Sequence, residues 1–483
     1  MGLFKNKIRL RFAPSPTGFL HIGGLRSALF GYLLAKSQGG QFILRIEDTD
    51  QKREVEGAVK SLLDILAWAG IKFDEGPDLG GKYGPYTQSE RQAIYKEQAD
   101  RLLSEAKIYR CFCTAERLTK MRADQEARHE PPRYDRLCRE LSDEESERRA
   151  NIGEPFVLRQ KMPLDGEVIA HDELIGDIKF QAKELDDHVL IKTNGIPTYQ
   201  FANVVDDHLM EISHVTRGHE WLPSFPKNLL LYHDFGWTPP KFVHLPLILN
   251  KTGGKLSKRQ GDVFVEDYRA QGYLPEALIN FCALLGWHSK DDQEIFTLEG
   301  LERVFSLSGM GTSPAVFDEV KLDYLNGHYL RQKSVAELVE LARPYLEKAG
   351  YKTAGRPLEK FIALARERMK KLSDGPELIG FLFALPPFEP ELLRWKTLSL
   401  EQTKNNLREL KAELEKIPEG KWQKDHLEKT ILAWIKEGKR QNGDYLWPLR
   451  VALTGLKNSP GPFEVADALG SEESFTRLNN SLK

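Results

Sequence analysis

The sequence predicts an α/β protein: a doubly wound domain carrying an α+β insertion, followed by an all-α C-terminal region. Three observations carry that expectation. An alternating run, a helix-spaced run and a second apolar run succeed one another between residues 8 and 46. From about 105 to 197 the texture turns Cys-containing, proline-broken and β-rich, and then the first character returns. Past about residue 330 the apolar residues keep helical spacing.

Ile8, Leu10 and Phe12 alternate with Arg9 and Arg11, as a half-buried strand would. Leu25, Ala28, Leu29 and Tyr32 give a helix over 25–36, stopped by Gly39-Gly40. Phe42 to Ile46 reads as a second strand. The loop 13–24 therefore sits at the carboxyl end of the first strand of a βαβ unit, where doubly wound sheets bind ligands. Val55, Val59, Leu62, Leu63 and Leu66 predict a helix over 50–70. Inside the insertion, a charged helix near 115–130 and β sequence at Phe156 to Arg159 accompany Cys111-Phe-Cys113 and Pro131-Pro132. The first texture resumes at Thr198 to Val205 and runs on to Phe242 to Leu249. In the helical region Leu400, Leu407, Leu410, Leu414 and Ile417 form one buried stripe, and Pro386-Pro387 divides the region in two.

A chain of 483 residues asks for about three or more domains. Its formal net charge of −2 excludes a global positive field, so any polyanion must meet a local basic patch. Four cysteines exclude a disulfide scaffold and fit a reducing compartment. With no secretory signal and no apolar run of ~18 residues, a soluble cytoplasmic protein is expected, with no membrane partner.

Two distant segments carry chemistry. In Pro14-Ser15-Pro16-Thr17-Gly18 through His21-Ile22-Gly23-Gly24, glycines bare the backbone N–H groups at a helix start, where a phosphate can sit. The prolines stiffen the approach, and His21 is placed to donate to a phosphoryl oxygen as charge grows there. In the Gly-rich stretch after a strand, Lys255-Leu256-Ser257-Lys258-Arg259 brings two lysines three apart, suited to a triphosphate. Taken singly, the first also reads as a Gly/Pro turn and the second as a solvated basic turn. Together they look like a nucleotide site built from both halves of a split sheet.

The first string resembles the HIGH region of class I aminoacyl-tRNA synthetases, with Gly24 in place of its last histidine. Lys255 to Arg259 is similar to their KMSKS motif, with Leu and Arg substituted, and follows the first motif in the order that class shows. Surrounding residues narrow the resemblance to the bacterial-type glutamyl enzymes. It implies a Rossmann-like catalytic domain in two halves (1–104 and 198–250) and an acceptor-end insertion (105–197). A stem-contact domain holding the lysine segment (251–330) and two helical anticodon domains (331–388 and 389–483) would follow. The implied reaction joins L-glutamate to tRNA(Glu) in two steps, through a glutamyl-adenylate made from ATP and Mg2+, and the enzyme is expected to be a monomer.

The resemblance also implies site residues. Arg11, Ala13, Ser15, Glu47, Tyr199, Asn203 and Arg217 would form the glutamate pocket. Glu47 suits the ammonium, Tyr199 is a neutral donor, and Arg11 and Arg217 share the two carboxylates in an order the sequence leaves open. Buried substrate charges require such opposite charges around them. Arg217 favours glutamate over glutamine, whose neutral amide wants no extra cation. His21, Gly23, Gly24, Ile248, Lys255 and Lys258 would hold ATP, with His21 and Lys258 catalytic. Cys111, Cys113 and Cys138 resemble a zinc site whose fourth ligand is Tyr134 or Glu140, or else they are small core residues. Cys282 reads as packing. Asp206-Asp207-His208 is expected to orient a loop beside the pocket. Arg368, in the basic cluster 365–372, falls where some glutamyl enzymes read the last anticodon base. As a helix, that cluster would put 366 and 370, or 368 and 371, on one face. The rival readings are a glutaminyl enzyme, a short tRNA-modifying paralogue, and a non-catalytic RNA-binding relative.

Overall fold

A computed structural model describes residues 8–50, 53–254, 256 and 263–483. The chain divides into two compact units, Met1–Arg269 with Pro275–Glu319, and Ala270–Leu274 with Val320–Lys483.

The first unit opens with the βαβ element: β1 (Arg9–Phe12), α1 (Ile22–Ser37) and β2 (Gln41–Leu44), with β1 and β2 parallel. The return from α1 needs glycine twice. Gly39 has φ +65°, and a Cβ on Gly40 would lie 2.2 Å from the Ile8 carbonyl oxygen. Half-buried alternation would leave Arg9 and Arg11 in solvent, but both are buried. Each has a carboxylate partner: Arg9 meets Glu75 at 2.8 Å and Arg11 meets Asp207 at 2.9 Å. β1 is thus a strand covered on both faces, as parallel strands usually are.

The next helix, α2 (Ala58–Trp68), starts later than its apolar spacing suggests. Gly57 is left-handed at its start, and the Val55 N–H is bonded to the Pro16 carbonyl at 2.9 Å, which keeps that stretch in the loop. After α3 (Gln92–Ser104) comes the expected change of texture. β3 (Ile108–Cys111), β4 (Val157–Gln160) and β7 (Val189–Ile191) make an antiparallel sheet, with α4 (Ala115–Ala127) and α5 (Asp143–Asn151) between the first two. β5 (Glu167–Asp172) and β6 (Gly176–Gln181) form a hairpin.

The chain then returns through α6 (Tyr199–Leu209), β8 (His214–Gly218), α7 (Phe225–Asp234) and β9 (Lys241–Leu245). β8 and β9 are parallel, and β9 meets β5 at the Asp172–Phe242 pair, so the hairpin extends this sheet. Just before β8, the Ser213 N–H donates to the Arg9 carbonyl and ties β1 alongside. Phe201, Val204, Val205, Val215, Phe225, Leu231, Phe235 and Phe242 fill the core between α6, α7 and the sheet. The unit closes with β10 (Ile248–Leu249), helices α8 (Val265–Gln271), α9 (Pro275–Leu284) and α10 (Leu298–Val304), and β11 (Ala315–Val316), which pairs in parallel with β10.

From α11 (Glu319–Gln332) onward the described residues are helical. They continue through α12 (Val335–Lys348), α13 (Leu358–Ala365), α14 (Gly375–Phe383), α15 (Leu400–Leu414), α16 (Lys424–Glu437), α17 (Asn442–Thr454) and α18 (Pro462–Leu482). The expected stripe on α15 is buried at Leu407, Leu410 and Leu414 and continues at Ile417. Buried Arg477 donates through Nη1 to the carbonyls of Phe381 and Leu453, both at 2.7 Å. It thereby satisfies helix-end carbonyls on either side of Pro386-Pro387. Among the described residues no helix is long and apolar enough to cross a membrane.

Candidate active site

The loop after β1 runs beside the segment after β2. The Arg45 and Glu47 N–H groups donate to the carbonyls of Phe12 and Pro14, each at 3.0 Å, which brings Ala13 and Ser15 alongside Glu47. α1 is then capped by His21, whose Nδ1 accepts the Gly24 N–H at 3.1 Å. That bond makes the neutral ring the Nε2–H tautomer. Gly24 therefore does not present the bare donor that the sequence suggests, and the neighbouring Ile22 N–H is taken by the Val263 carbonyl. A side chain at Gly23 would press on the His21 ring at 3.0 Å and reach Ile248, which places Ile248 over this turn. Lys255 and Lys258 lie outside the described residues. Their neighbours are tied here: Leu256 N–H donates to Ile248, and Val265 N–H donates to Leu20.

α6 supplies the pocket wall through its 3.6-residue period. Tyr199, Asn203 and Asp207 stand at successive i, i+4 positions on one face. The Tyr199 ring stacks on Trp221, with centroids 4.5 Å apart. Asn203 donates to Glu47 Oε1 at 3.2 Å, and Arg45 donates to the same oxygen at 2.9 Å. Glu47 Oε2 is buried with no hydrogen-bond partner among the described residues. Asp207 takes Arg11 at 2.9 Å and Arg45 at 2.8 Å. Its neighbour Asp206 takes Arg91 at 2.7 Å, Gln88 and Tyr95. On the far side Arg217, from β8, lies over the rings of Phe242 and Phe225 and donates through Nε to His244 at 2.9 Å. Both its Nη nitrogens are buried without a partner among the described residues.

Charge follows that geometry. Burial would raise the Asp207 carboxyl, but Arg11 and Arg45 outweigh it and hold it below the usual carboxylate range. At Glu47 burial wins over the pull of Arg45 and Arg11, and its carboxyl lies above that range. Burial lowers the Arg217 guanidinium from its ordinary value. The Tyr199 hydroxyl is pushed up to about 12, chiefly by burial, and stays a neutral donor. The pocket therefore presents two guanidinium nitrogens of Arg217 and two carboxylate oxygens, Glu47 Oε2 and Asp207 Oδ2, without a hydrogen-bond partner among the described residues. That suits a ligand with a carboxylate and an ammonium.

Residues 7–324 match the family model for the catalytic domain of class I tRNA synthetases of the E and Q type, and residues 337–482 match an anticodon-binding domain. The chain belongs to that synthetase family. The glutamate–tRNA ligase of Clostridium botulinum is 45% identical over 476 residues, covering 98% of this chain and 97% of that one. That of Clostridium tetani is 46% identical over 476 residues, with the same coverage of 98% and 97%. Among solved structures, a glutamate tRNA ligase from Elizabethkingia meningosepticum in complex with its amino acid superposes with TM-score 0.92 at 36% identity, covering 99% of each chain.

Two further sets of residues of this synthetase were singled out by sequence. The thiols of Cys111, Cys113 and Cys138 come together, their sulfurs all within 4.8 Å of one another. The Tyr134 hydroxyl lies 3.3 Å from the first and 3.4 Å from the second, while Glu140 is exposed and outside the cluster. Hydrogen bonding from Cys138 pulls the Cys111 thiol down to about 4 against the opposing effect of burial, while Cys138 is raised. Cys282 is buried packing, as expected.

The basic cluster is not a helix. α13 ends at Ala365, and Asp374 captures the N–H groups of Lys370 and Lys371 at 2.9 Å, which folds the segment into turns. The shared helical faces expected for 366 with 370, or 368 with 371, therefore do not exist. Arg366 bonds the Arg331 carbonyl and Lys371 bonds Gln271. Arg368 instead lines a concavity of about 450 Å³ with Glu367, Arg450, Ser459, Pro460 and Glu464.

Sequence reasoning missed Arg45, the pairing role of Asp206 and Asp207, and His244. The aspartates do more than orient a loop, since they neutralise the buried arginines. The available signal was the spacing of Tyr199, Asn203 and Asp207. For His244 there was none, because its meaning lies in a neighbouring strand.

Proposed function

We propose that this chain is a glutamate–tRNA ligase that acts as a monomer in the cytoplasm. It joins L-glutamate to tRNA(Glu) using ATP and Mg2+. The observation that carries the choice of amino acid is Arg217, with two buried Nη nitrogens lacking a protein partner among the described residues. A glutamine amide would leave a buried cation uncompensated, whereas a carboxylate completes it.

In this reading Glu47 Oε2 receives the substrate ammonium, and Tyr199, Asn203, Ala13 and Ser15 line the pocket. Arg217 takes a substrate carboxylate. Arg11 is held by Asp207 through Nε and contributes its remaining face. The α-carboxylate attacks the α-phosphorus of ATP and pyrophosphate leaves in line. A hydroxyl of the terminal adenosine of the tRNA then attacks the acyl carbon and AMP departs. His21 would donate through Nε2 to a phosphoryl oxygen. Gly23, Gly24 and Ile248 would form the nucleotide seat, with Lys255 and Lys258 neutralising growing charge. Arg368 would read an anticodon base.

The thiol cluster fits zinc: three sulfurs within 4.8 Å of one another are donors typical of a structural zinc site, and the Tyr134 hydroxyl is the neighbouring oxygen that would complete the set. Elemental analysis of protein purified without chelator should give about one equivalent of zinc. A value near zero would leave Cys111, Cys113, Cys138 and Tyr134 as packing.

ATP–pyrophosphate exchange with glutamate and with glutamine, with and without tRNA(Glu), tests the function. Exchange with glutamate alone, dependent on tRNA, is the expected result. Exchange with glutamine would make it a glutaminyl enzyme, and none under any condition would leave an RNA-binding relative.

A further inference from the structure

Behind Arg217 stands a chain of groups that the reaction itself does not call for. His244 faces Arg217 across the β8–β9 ladder as its register partner. The Nε2 of His244 accepts the Arg217 Nε–H at 2.9 Å, and its Nδ1 lies 2.7 Å from Asp172 Oδ2. Asp172 ends β5 and is nearly inaccessible, as is His244. Its carboxylate is fully engaged: Oδ2 also accepts the His244 backbone N–H at 2.9 Å, and Oδ1 accepts those of Leu174 and Ile175 at 2.9 and 3.0 Å.

We propose that Asp172 and His244 are positioning residues for Arg217, setting its guanidinium so that both Nη nitrogens meet a substrate carboxylate as a pair. The inference rests on the pocket role of Arg217 given above.

The His244 tautomer sets the geometry. A carboxylate at Nδ1 keeps the proton there, leaving Nε2 as a lone-pair acceptor for the arginine. With Nε anchored on His244 and the guanidinium lying over the rings of Phe242 and Phe225, little orientational freedom is left, and the outer edge is the one without a hydrogen-bond partner among the described residues. A free arginine would lose several rotatable bonds on binding; this one has already lost them. The arrangement requires a neutral imidazole, because a second N–H at Nε2 would confront the Nε–H. Burial, and the charges of Arg217 and His219, hold the ring below its ordinary value against the opposing pull of Asp172. The Asp172 carboxyl stays ionised because its hydrogen bonds outweigh its burial.

The test is a double-mutant cycle on full-length enzyme, read as KM for glutamate in aminoacylation of tRNA(Glu). Asp172→Asn puts an amide where a carboxylate fixed the tautomer. It should raise KM for glutamate about tenfold to a hundredfold, the usual effect of losing a partner that orients a ligating side chain. KM for ATP should stay unchanged. In an Arg217→Ala background the same substitution should add less than about twofold, since its effect passes through Arg217. Should Asp172→Asn not fold, His244→Gln and His244→Leu serve instead. Glutamine keeps an acceptor for Nε and should retain more glutamate affinity than leucine at matched thermal stability.

Additive effects in the cycle, or equal losses for the two His244 variants, would overturn the positioning role. If Arg217→Ala itself leaves KM for glutamate unmoved, the pocket assignment fails first, and that outcome is distinct.

Discussion

Around Asp206 and Asp207 every buried guanidinium meets a carboxylate, with Arg91 at 2.7 Å, Arg45 at 2.8 Å and Arg11 at 2.9 Å. Across the same pocket, Arg217 is as deeply buried yet has no carboxylate partner among the described residues, only His244 at Nε, and its two outer nitrogens have no hydrogen-bond partner there. Desolvating an ion is expensive, and a buried guanidinium edge in a pocket gains most from a ligand that completes its partner set. On the proposed reading, the ion-paired cluster builds the pocket and the Arg217 edge binds. Glu47 stands between them, with Oε1 held by Arg45 and Asn203 and Oε2 left for the ligand.

The largest effect should come from breaking the paired side. Asp207→Asn leaves Arg11 and Arg45 short of their shared counter-charge and should cost ~3–5 kcal/mol of unfolding free energy, measured by urea denaturation. The depressed Asp207 carboxyl sets the pH window. Its stabilisation is present above the unfolded carboxylate value and lost as pH falls through the lower folded one, so the acid transition of the variant should be shallower. Wild-type stability in the variant would place Asp207 outside the framework.

Glu47 sharpens the contrast because its shift has the opposite sign. Its folded carboxyl lies above the usual range, so the folded state binds the extra proton in that window, and Glu47 lowers stability as pH rises through it. A substrate ammonium needs the ionised form. KM for glutamate should fall about tenfold per pH unit below the Glu47 value and level off above it. Calorimetry in buffers of different ionisation enthalpy should detect proton release on binding. A flat profile would separate Glu47 from the ammonium.

The smallest effect lies in the helical unit, where Arg368 is exposed and its charge has water as an alternative partner. Arg368→Gln should change discrimination between glutamate and glutamine tRNAs by roughly three- to tenfold, the net value of one hydrogen bond. Equal loss of charging for both tRNAs would make Arg368 a phosphate contact.

Much of this was legible in the chain. The βαβ opening and the return of its texture after the insertion follow from apolar periodicity. So does the stripe on α15, which local pattern determines. Hidden were properties set by distant partners. Arg9 and Arg11 looked solvent-facing because Glu75 and Asp207 are 66 and 196 residues away in sequence. The basic run at 366–371 looked helical because Asp374, which takes its backbone, belongs to the next turn. His244 and Asp172 acquire meaning only when β5, β9 and β8 align. Metal-type spacing revealed the thiols, but only the fold brought Tyr134 to them and left Glu140 outside.

The central claim, that Arg217 binds substrate while the Asp207 cluster stabilises the fold, is tested most directly by Arg217→Ala, with kcat/KM for glutamate and the urea midpoint measured on the same preparation. Losing the buried partner of a substrate carboxylate should cost ~3–5 kcal/mol, a fall of more than about 10²-fold in kcat/KM, while the midpoint holds or rises. A fall of less than about tenfold, or a loss of stability like that of Asp207→Asn, would contradict it.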